Sequence, residues 1–123
     1  MSTNVSVSID VPDVEQAINF YNQALNCEVK TKYSDSWAVV TLDNLDIHFL
    51  KKDAGTIGAN NEQRHFSRHW TPVHLDFSTS DVAAALEIVK TFGGTVEKYE
   101  SNESADIALC ADPFGNGFCL IRE

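Results

Sequence analysis

A cysteine sits in the middle of the last apolar segment of the chain, where its thiol could either fill the core or do chemistry. The segment "ADPFGNGFCLI" (111–121) predicts a turn around Pro113 and Gly115, followed by a short strand that contains Cys119. A thiolate is a ligand for zinc, whereas a free thiol inside a core behaves as a small hydrophobe. The choice between these roles depends on which other side chains the fold places beside Cys119.

The elements that position this cysteine belong to a sequence that repeats itself. The blocks "VSVSIDVPDVEQAINF" (5–20) and "VHLDFSTSDVAAALEI" (73–88) align at an offset of 68 residues, with Asp13 aligned on Asp81 and Ala17 on Ala85. Each block begins with alternating apolar and polar residues, typical of a strand with one buried face, and continues with an apolar stripe at helical spacing. Pro12 is expected in the first turn of the first helix, and Ser80 or Asp81 is expected to cap the second. Three strands are predicted after each helix, at 28–33, 37–42 and 45–51, and at 95–100, 106–111 and 117–122.

This order predicts an α+β fold built from two tandem βαβββ modules that form a curved mixed sheet around a concave pocket. We expect a single domain over 1–123, with module 1 at about 4–52, a linker at about 53–69 and module 2 at about 70–123. Each helix covers the apolar face of its own strands, so the polar face is left to form a trough. The side chains expected on the trough walls are Ser6, Ser8, Asp10, His74, Asp76 and Ser78.

Composition restricts the partners of such a domain. The 123 residues include 18 acidic and 9 basic side chains, for a formal charge of −9, which disfavours nucleic acids and anionic membranes. No run of about eighteen apolar residues occurs, and "MSTNVSVSIDV" lacks the features of a secretory signal. Three cysteines, an odd number, favour reduced thiols. We therefore expect a cytoplasmic protein.

Two segments resemble a known superfamily. The helical "DVEQAINFYNQALNCEV" (13–29) and the terminal "DPFGNGFCLI" (112–121), set in a duplicated βαβββ pattern, resemble the vicinal oxygen chelate proteins. That superfamily includes glyoxalase I, bleomycin-resistance proteins, fosfomycin-resistance enzymes and extradiol dioxygenases. Its fold carries many chemistries, so the resemblance implies the scaffold more strongly than the reaction. It also implies a homodimer, because members of this length usually associate.

The resemblance implies a set of site residues. Metal-dependent members direct four side chains into the trough, from the first and last strand of each module, and the matching positions here are Ser6, His48, His74 and Cys119. Cys119 stands where the metal enzymes commonly have a glutamate. His48, His74 and Cys119 offer the nitrogen and sulfur donors that zinc accepts, with room for water at Ser6, and zinc suits this set better than magnesium, manganese or calcium.

The same positions allow a site without metal. Serine is a poor ligand, Cys119 lies between two apolar residues, and two histidines in a trough can simply hydrogen-bond a bound molecule. We therefore expect a glyoxalase/bleomycin-resistance-type protein that binds a small organic molecule in the concave pocket, with catalysis open. The pocket residues predicted are Ser6, Ser8, Trp37, His48, His74, Asp76 and Cys119.

The alternative is a metal-dependent lyase, isomerase or dioxygenase-type enzyme that uses His48, His74 and Cys119. Isomerisation of methylglyoxal is disfavoured, because that reaction needs a carboxylate base where this chain has Cys119. Asp76 is the carboxylate candidate that remains for moving protons, although exposed strand carboxylates commonly only face solvent. Trp37 either offers a flat wall to a planar ligand or packs in the core.

One basic, aromatic stretch interrupts the acidic chain. "RHFSRHW" (64–70) is expected to clamp an anionic group of a ligand, to pair with acidic surface of a second subunit, or to act as the hinge between the modules. Its two histidines are not predicted to be metal ligands.

Overall fold

The βαβββ pattern occurs twice in the computed structural model, which describes residues 2–123. The first copy consists of β1 (Ser6–Val11), α1 (Val14–Leu25), β2 (Glu28–Ser34), β3 (Trp37–Leu42) and β4 (Leu45–Lys51). The second copy consists of β5 (Leu75–Thr79), α2 (Val82–Thr91), β6 (Thr95–Ser101), β7 (Asp106–Ala111) and β8 (Gly117–Arg122). A single 3₁₀ turn, Ala59–Asn61, interrupts the segment between the two copies.

The strands form two open mixed sheets of four. The first sheet has the order β1-β4-β3-β2 and the second the order β5-β8-β7-β6. In each sheet the first and last strands of the module pair in parallel, and the remaining pairs are antiparallel. The predicted fold class is therefore confirmed, with one refinement: the modules make two separate sheets and not one continuous sheet.

Aspartates fix where both helices begin. Asp13 accepts a hydrogen bond from the backbone nitrogen of Gln16 at 3.0 Å, and Asp81 accepts one from Ala84 at 3.0 Å. Each carboxylate satisfies an amide that the first helical turn leaves without a partner. Helix α1 therefore starts at Val14, and Pro12 precedes the cap, whereas the sequence had suggested Pro12 for the first helical turn. Asp81, not Ser80, is the cap of α2.

The two modules share one hydrophobic core. Phe20 of α1 lies 5.3 Å from the ring of Tyr21 and 6.1 Å from the ring of Phe118 on β8, so the first helix packs on the second sheet as well as on its own. The approach is close at Gly94, where a Cβ atom would lie 2.6 Å from a methyl group of Val89 and 2.8 Å from the ring of Phe20. Any larger residue at Gly94 would push α2 away from its neighbours.

A buried carboxylate also joins the modules. Asp112 accepts hydrogen bonds from the hydroxyl of Tyr21 at 2.8 Å, from the backbone nitrogens of Phe114 and Asn116 at 2.9 Å each, and from the side chain of Asn116 at 3.0 Å. Burial nevertheless raises the pKa of Asp112, against the hydrogen bonds that lower it. Burial also raises the pKa of Tyr21 well above its ordinary value, so its hydroxyl remains a donor.

The connection between the modules is held by two arginines. Arg64 donates from Nε to a carboxylate oxygen of Asp10 at 2.8 Å, and Arg68 forms a bidentate pair with Glu97 at 2.7 and 3.0 Å. Both guanidinium groups of the "RHFSRHW" stretch thus have carboxylate partners within the same chain, one in each module. Within residues 2–123, no helix has the length and apolar character needed to cross a membrane.

The titration of Asp112 gives a stability test. Because its pKa in the folded state lies above the unfolded value of about 3.9, the folded state binds the proton more tightly. The contribution of Asp112 to stability is then fully present below the unfolded pKa and is lost as pH rises through the folded pKa. We expect the free energy of urea unfolding of the wild type, minus that of Asp112→Asn, to fall with rising pH. A difference that rises with pH would mean that the four donors outweigh burial.

Candidate functional site

Three side chains with metal-ligating groups meet on the second sheet. The Nδ1 atom of His74 lies 3.1 Å from Oδ1 of Asp76 and 3.7 Å from Sγ of Cys119. One donor atom from each residue lies within 4.8 Å of the others. Among residues 2–123, these form the one group of three or more His, Cys, Asp or Glu side chains that could hold a metal ion. We refer to His74, Asp76 and Cys119 as the donor cluster.

Strand geometry explains why these three residues meet. His74 and Asp76 are two residues apart, so their side chains point to the same side of the β5 strand and its start. Parallel pairing then places Cys119 of β8 directly opposite Asp76. Phe118 and Leu120, the neighbours of Cys119, belong to the buried core, so Cys119 faces away from the helices. Cys119 therefore lies on the same side of the sheet as His74 and Asp76, with only 6% of its surface exposed.

The surroundings of Cys119 favour its protonated form. Burial is the largest effect that raises the pKa of its thiol, followed by the nearby negative charge of Asp76. His74 and Cys119 line a small cavity of about 60 Å³ together with Arg68, Trp70 and Glu97. The Trp70 ring lies 6.0 Å from that of His74. Without a bound metal, the protonated thiol of Cys119 therefore shares this cavity with the Arg68 guanidinium and the Trp70 indole.

The spacing of the donor cluster fits a tetrahedral zinc ion. With Zn–N near 2.0–2.1 Å and Zn–S near 2.3 Å, tetrahedral angles separate a nitrogen from a sulfur ligand by about 3.6 Å and from an oxygen ligand by about 3.4 Å. The corresponding distances from His74 Nδ1 are 3.7 Å to Cys119 Sγ and 3.1 Å to Asp76 Oδ1. Small rotations of the exposed His74 and Asp76 side chains would therefore complete three ligand positions with the buried Cys119.

A larger crevice lies beside the donor cluster, between the first strands of the two modules. Its volume is about 410 Å³, and its walls come from β1, from the start of β5 and from the turn before β8. Most of the wall is apolar, with polar groups from Ser8, Asp10, Tyr21 and Asn116. His74 belongs to both the crevice wall and the donor cluster. A molecule in the crevice would therefore contact the residue that carries the imidazole donor.

The structure brings together two of the three predicted ligands. His48 lies on β4, where it pairs with Ser8 of β1 and Val39 of β3 in the first sheet, and it is not a member of the donor cluster. Its Nδ1 accepts a hydrogen bond from Nε1 of Trp37 at 3.0 Å. His48 is separated from Cys119 because β4 and β8, the last strands of the two modules, belong to different sheets. Ser6, the first-strand position, also lies in the first sheet and is exposed.

Asp76 takes the place that sequence reasoning gave to His48. It had been considered only as a proton carrier and a pocket residue, because exposed strand carboxylates commonly only face solvent. The signal that could have identified it is the repeat itself. If the first and last strands of each module pair in parallel, Asp76 and Cys119 become neighbours.

The sequence matches the glyoxalase-like domain family model over residues 6–121. The chain therefore belongs to the glyoxalase-like domain family, within the vicinal oxygen chelate superfamily that its repeat resembles. A search of the curated proteins finds no match to the sequence.

Several solved structures share the fold. The fosfomycin resistance protein FosX from Listeria monocytogenes, in its hexagonal form, is 16% identical, with 100% of this chain and 94% of that chain covered and a TM-score of 0.75. A mutant of FosX from the same organism, complexed with Mn(II) and 1S,2S-dihydroxypropylphosphonic acid, is 16% identical over 98% and 90% of the chains, with a TM-score of 0.74. Lactoylglutathione lyase from Agrobacterium tumefaciens is 17% identical over 99% and 94%, with a TM-score of 0.67. At these identities the likeness shows the fold.

Alkylation of Cys119 tests the electrostatics of the donor cluster. Asp76 contributes to the raised pKa of the thiol, so Asp76→Asn should lower that pKa and increase the thiolate fraction at a given pH. With a chelator present, we expect iodoacetamide to label Cys119 faster in Asp76→Asn than in the wild type at pH 8. Peptide mass spectrometry measures the rates, and Cys27, whose pKa burial raises to about 11, serves as the internal control. An unchanged rate at Cys119 would show that Asp76 does not act on the thiol.

Proposed function

We propose that this protein binds a small organic molecule in the crevice between β1 and β5. The observation that carries this proposal is the shared position of His74, which forms part of the crevice wall and of the donor cluster. A mostly apolar concavity of about 410 Å³ with a few convergent polar groups is the usual form of a small-molecule site.

The crevice offers different contacts at its two walls. Val7 and Ile9 of β1 and Leu75 of β5 supply apolar surface, while His74 and Ser8 supply polar atoms. Hydrogen bonds hold the end of the crevice near β8 in place, because the side chain of Asn116 donates to the backbone oxygen of Asp10 at 3.4 Å as well as to Asp112. A ligand with an apolar body and an oxygen-bearing end directed at His74 fits this distribution. The high negative charge of the chain favours a neutral or cationic compound.

Nuclear magnetic resonance with a general fragment library tests the binding site. We expect fragments that bind to perturb backbone amides of β1, of the start of β5 and of the turn before β8 together. Ser8→Trp, which fills the crevice from the exposed side of β1, should remove those perturbations. Ser104→Trp, in the exposed turn after β6, is the matched control and should leave them unchanged. Perturbations confined to other surfaces, or none with any fragment, would contradict the proposal.

The donor cluster supports a second candidate function, metal-dependent chemistry on the same molecule. His74, Asp76 and Cys119 would hold the ion, and zinc suits their nitrogen, oxygen and sulfur donors best. When bound, such an ion would act as a Lewis acid on neighbouring oxygens of a substrate. The FosX mutant that shares this fold was solved in complex with Mn(II), which supports a divalent metal as the partner of the donor cluster. His48 is not part of this proposed set.

The chain's own residues would prepare this site in defined ways. Asp76 orients the imidazole of His74 through the 3.1 Å contact, and the position of Cys119 opposite Asp76 is fixed by the β5–β8 ladder. Arg68, held by Glu97, and Trp70 line the small cavity beside the thiol. Homodimerisation, implied by the resemblance, remains a prediction and is not needed for these contacts.

Zinc titration of the chelator-treated protein tests the metal site. We expect one zinc ion per chain by calorimetry. Substitution of residues that only hydrogen-bond to a metal ligand commonly costs 10–100-fold in metal affinity. Removal of a ligand in His74→Ala, Asp76→Asn or Cys119→Ser should therefore cost at least about 100-fold. His65→Ala removes an exposed histidine outside the donor cluster and is the matched control. Equal zinc affinity in the wild type and Cys119→Ser would exclude the thiol, and no zinc binding at micromolar concentration would remove this candidate function.

A further inference from the structure

The segment between the two modules brings together two histidines that belong neither to the donor cluster nor to the crevice wall. The chain bends at Ser67, and the ring centroids of His65 and His69 lie 4.5 Å apart, with 47° between the ring planes. In an extended chain, residues four positions apart are separated by about 13 Å. The bend therefore creates a pair of imidazoles that the spacing of the two residues does not indicate, and neither was predicted from the sequence to be a metal ligand.

The backbone that carries this pair is fixed against the second module. Phe66 packs on the hydrophobic core, and the chain lies directly against the turn before β8. A Cβ atom at Gly115 would lie 2.8 Å from the backbone oxygen of Phe66 and 3.2 Å from the backbone nitrogen of Arg68. The pair is therefore presented on an ordered backbone, so a bound ion would have little chain to order. The side chains of this stretch that share the outer surface are those of His65, Ser67 and His69.

Hydrogen bonds to Ser67 leave a lone pair available on both rings. Nδ1 of His69 lies 3.0 Å from the backbone oxygen of Ser67, which only accepts, so the neutral ring carries its proton on Nδ1 and its lone pair on Nε2. Nδ1 of His65 lies 2.6 Å from the hydroxyl oxygen of Ser67, which can accept a bond of the same kind. Histidines that bind metals typically donate their second ring N–H to an oxygen in this way.

The separation of the two rings indicates which metal they suit. With metal–nitrogen distances near 2.0–2.1 Å, a bound ion lies about 3.2 Å from each ring centroid. Two imidazoles bound at right angles then have centroids about 4.5 Å apart, against about 5.2 Å at the tetrahedral angle. The observed 4.5 Å matches the right angle of a tetragonal ion. Cu(II) prefers that geometry and ranks first in affinity among the divalent first-row metals.

The charges around the pair do not oppose a cation. Arg64 and Arg68 flank the histidines, but Arg64 is paired with Asp10 at 2.8 Å and Arg68 with Glu97 at 2.7 Å. The formal charge of the whole chain is −9, which favours the approach of cations.

We propose that His65 and His69 form a Cu(II) site, in which the Nε2 atoms of both rings bind one ion at right angles and water fills the remaining equatorial positions. Zinc, which prefers tetrahedral angles, is not expected to bind this pair at micromolar concentration. The site shares no residue with the donor cluster or the crevice wall and is independent of the proposed function.

Copper titration of a full-length variant without the donor cluster tests the proposal. His74→Ala combined with Cys119→Ser removes the competing ligands, and the other two cysteines, Cys27 and Cys110, are buried, so no exposed thiol remains to reduce the ion. The titration is carried out at pH 7.5, because coordination requires unprotonated nitrogen. We expect one Cu(II) per chain, and electron spin echo envelope modulation should count two equatorial imidazoles. Competition with glycine measures the affinity, and circular dichroism verifies the fold.

Single substitutions in that variant identify the ligands. His65→Ala and His69→Ala, both at exposed positions, should each leave one imidazole on the ion and weaken copper binding by at least about 100-fold. His48→Gln removes the third remaining histidine and is the matched control, so it should leave both the imidazole count and the affinity unchanged. The proposal would be overturned by the absence of copper binding at micromolar concentration, by a single imidazole before either substitution, or by a count that falls with His48→Gln.

Discussion

Parallel pairing between the first and last strands of each module is the constraint on which the site depends. In the second module it places Asp76 opposite Cys119, and the alternation of side chains along β5 adds His74 on the same face. In the first module the same pairing places Ser8 opposite His48. Identical topology therefore presents metal-ligating groups on one sheet and the hydrogen-bonded pair of Trp37 and His48 on the other. The difference between the two halves lies in their side chains.

The shared core keeps these two faces apart. Each helix packs on its own sheet and against the other helix, and Phe20, Phe118 and the hydrogen bond from Tyr21 to Asp112 hold the modules together. Because the apolar faces of both sheets are used for this contact, the polar faces are directed outward, with the crevice at the seam between them. The arginines of the connecting segment bind one carboxylate in each module and fasten the chain across that seam.

Much of the fold follows from the sequence. Strands β3, β4, β7 and β8 begin and end at the predicted residues, because Asp43-Asn44 and the Pro113–Asn116 turn bound them sharply. The helix starts were less certain, since Pro12, Asp13, Ser80 and Asp81 all suit a first turn, and only the cap contacts distinguish them. The modular repeat predicted two βαβββ units. It could not show that they form two sheets, because that depends on how the helices pack in three dimensions.

The residues of the candidate site were also predictable only in part. Cys119 and His74 were singled out because they match ligand positions of the metal-dependent superfamily members, and the structure places them 3.7 Å apart. His48 was grouped with them on the same resemblance, and the repeat agreed because it makes His48 equivalent to Cys119. Equivalence by internal symmetry does not imply proximity. Asp76 was undervalued because its partner depends on strand register. The hydrogen bond between Trp37 and His48 has no sequence signal, since neither spacing nor residue type indicates which ring atoms meet.

The central claim is that a thiol sulfur, and not only nitrogen and oxygen atoms, faces the open side of the second sheet as a ligand. X-ray absorption spectroscopy of the zinc-loaded protein measures this directly. The account predicts one sulfur neighbour at about 2.3 Å, together with nitrogen and oxygen neighbours at about 2.0–2.2 Å. A zinc shell made of nitrogen and oxygen alone would contradict it.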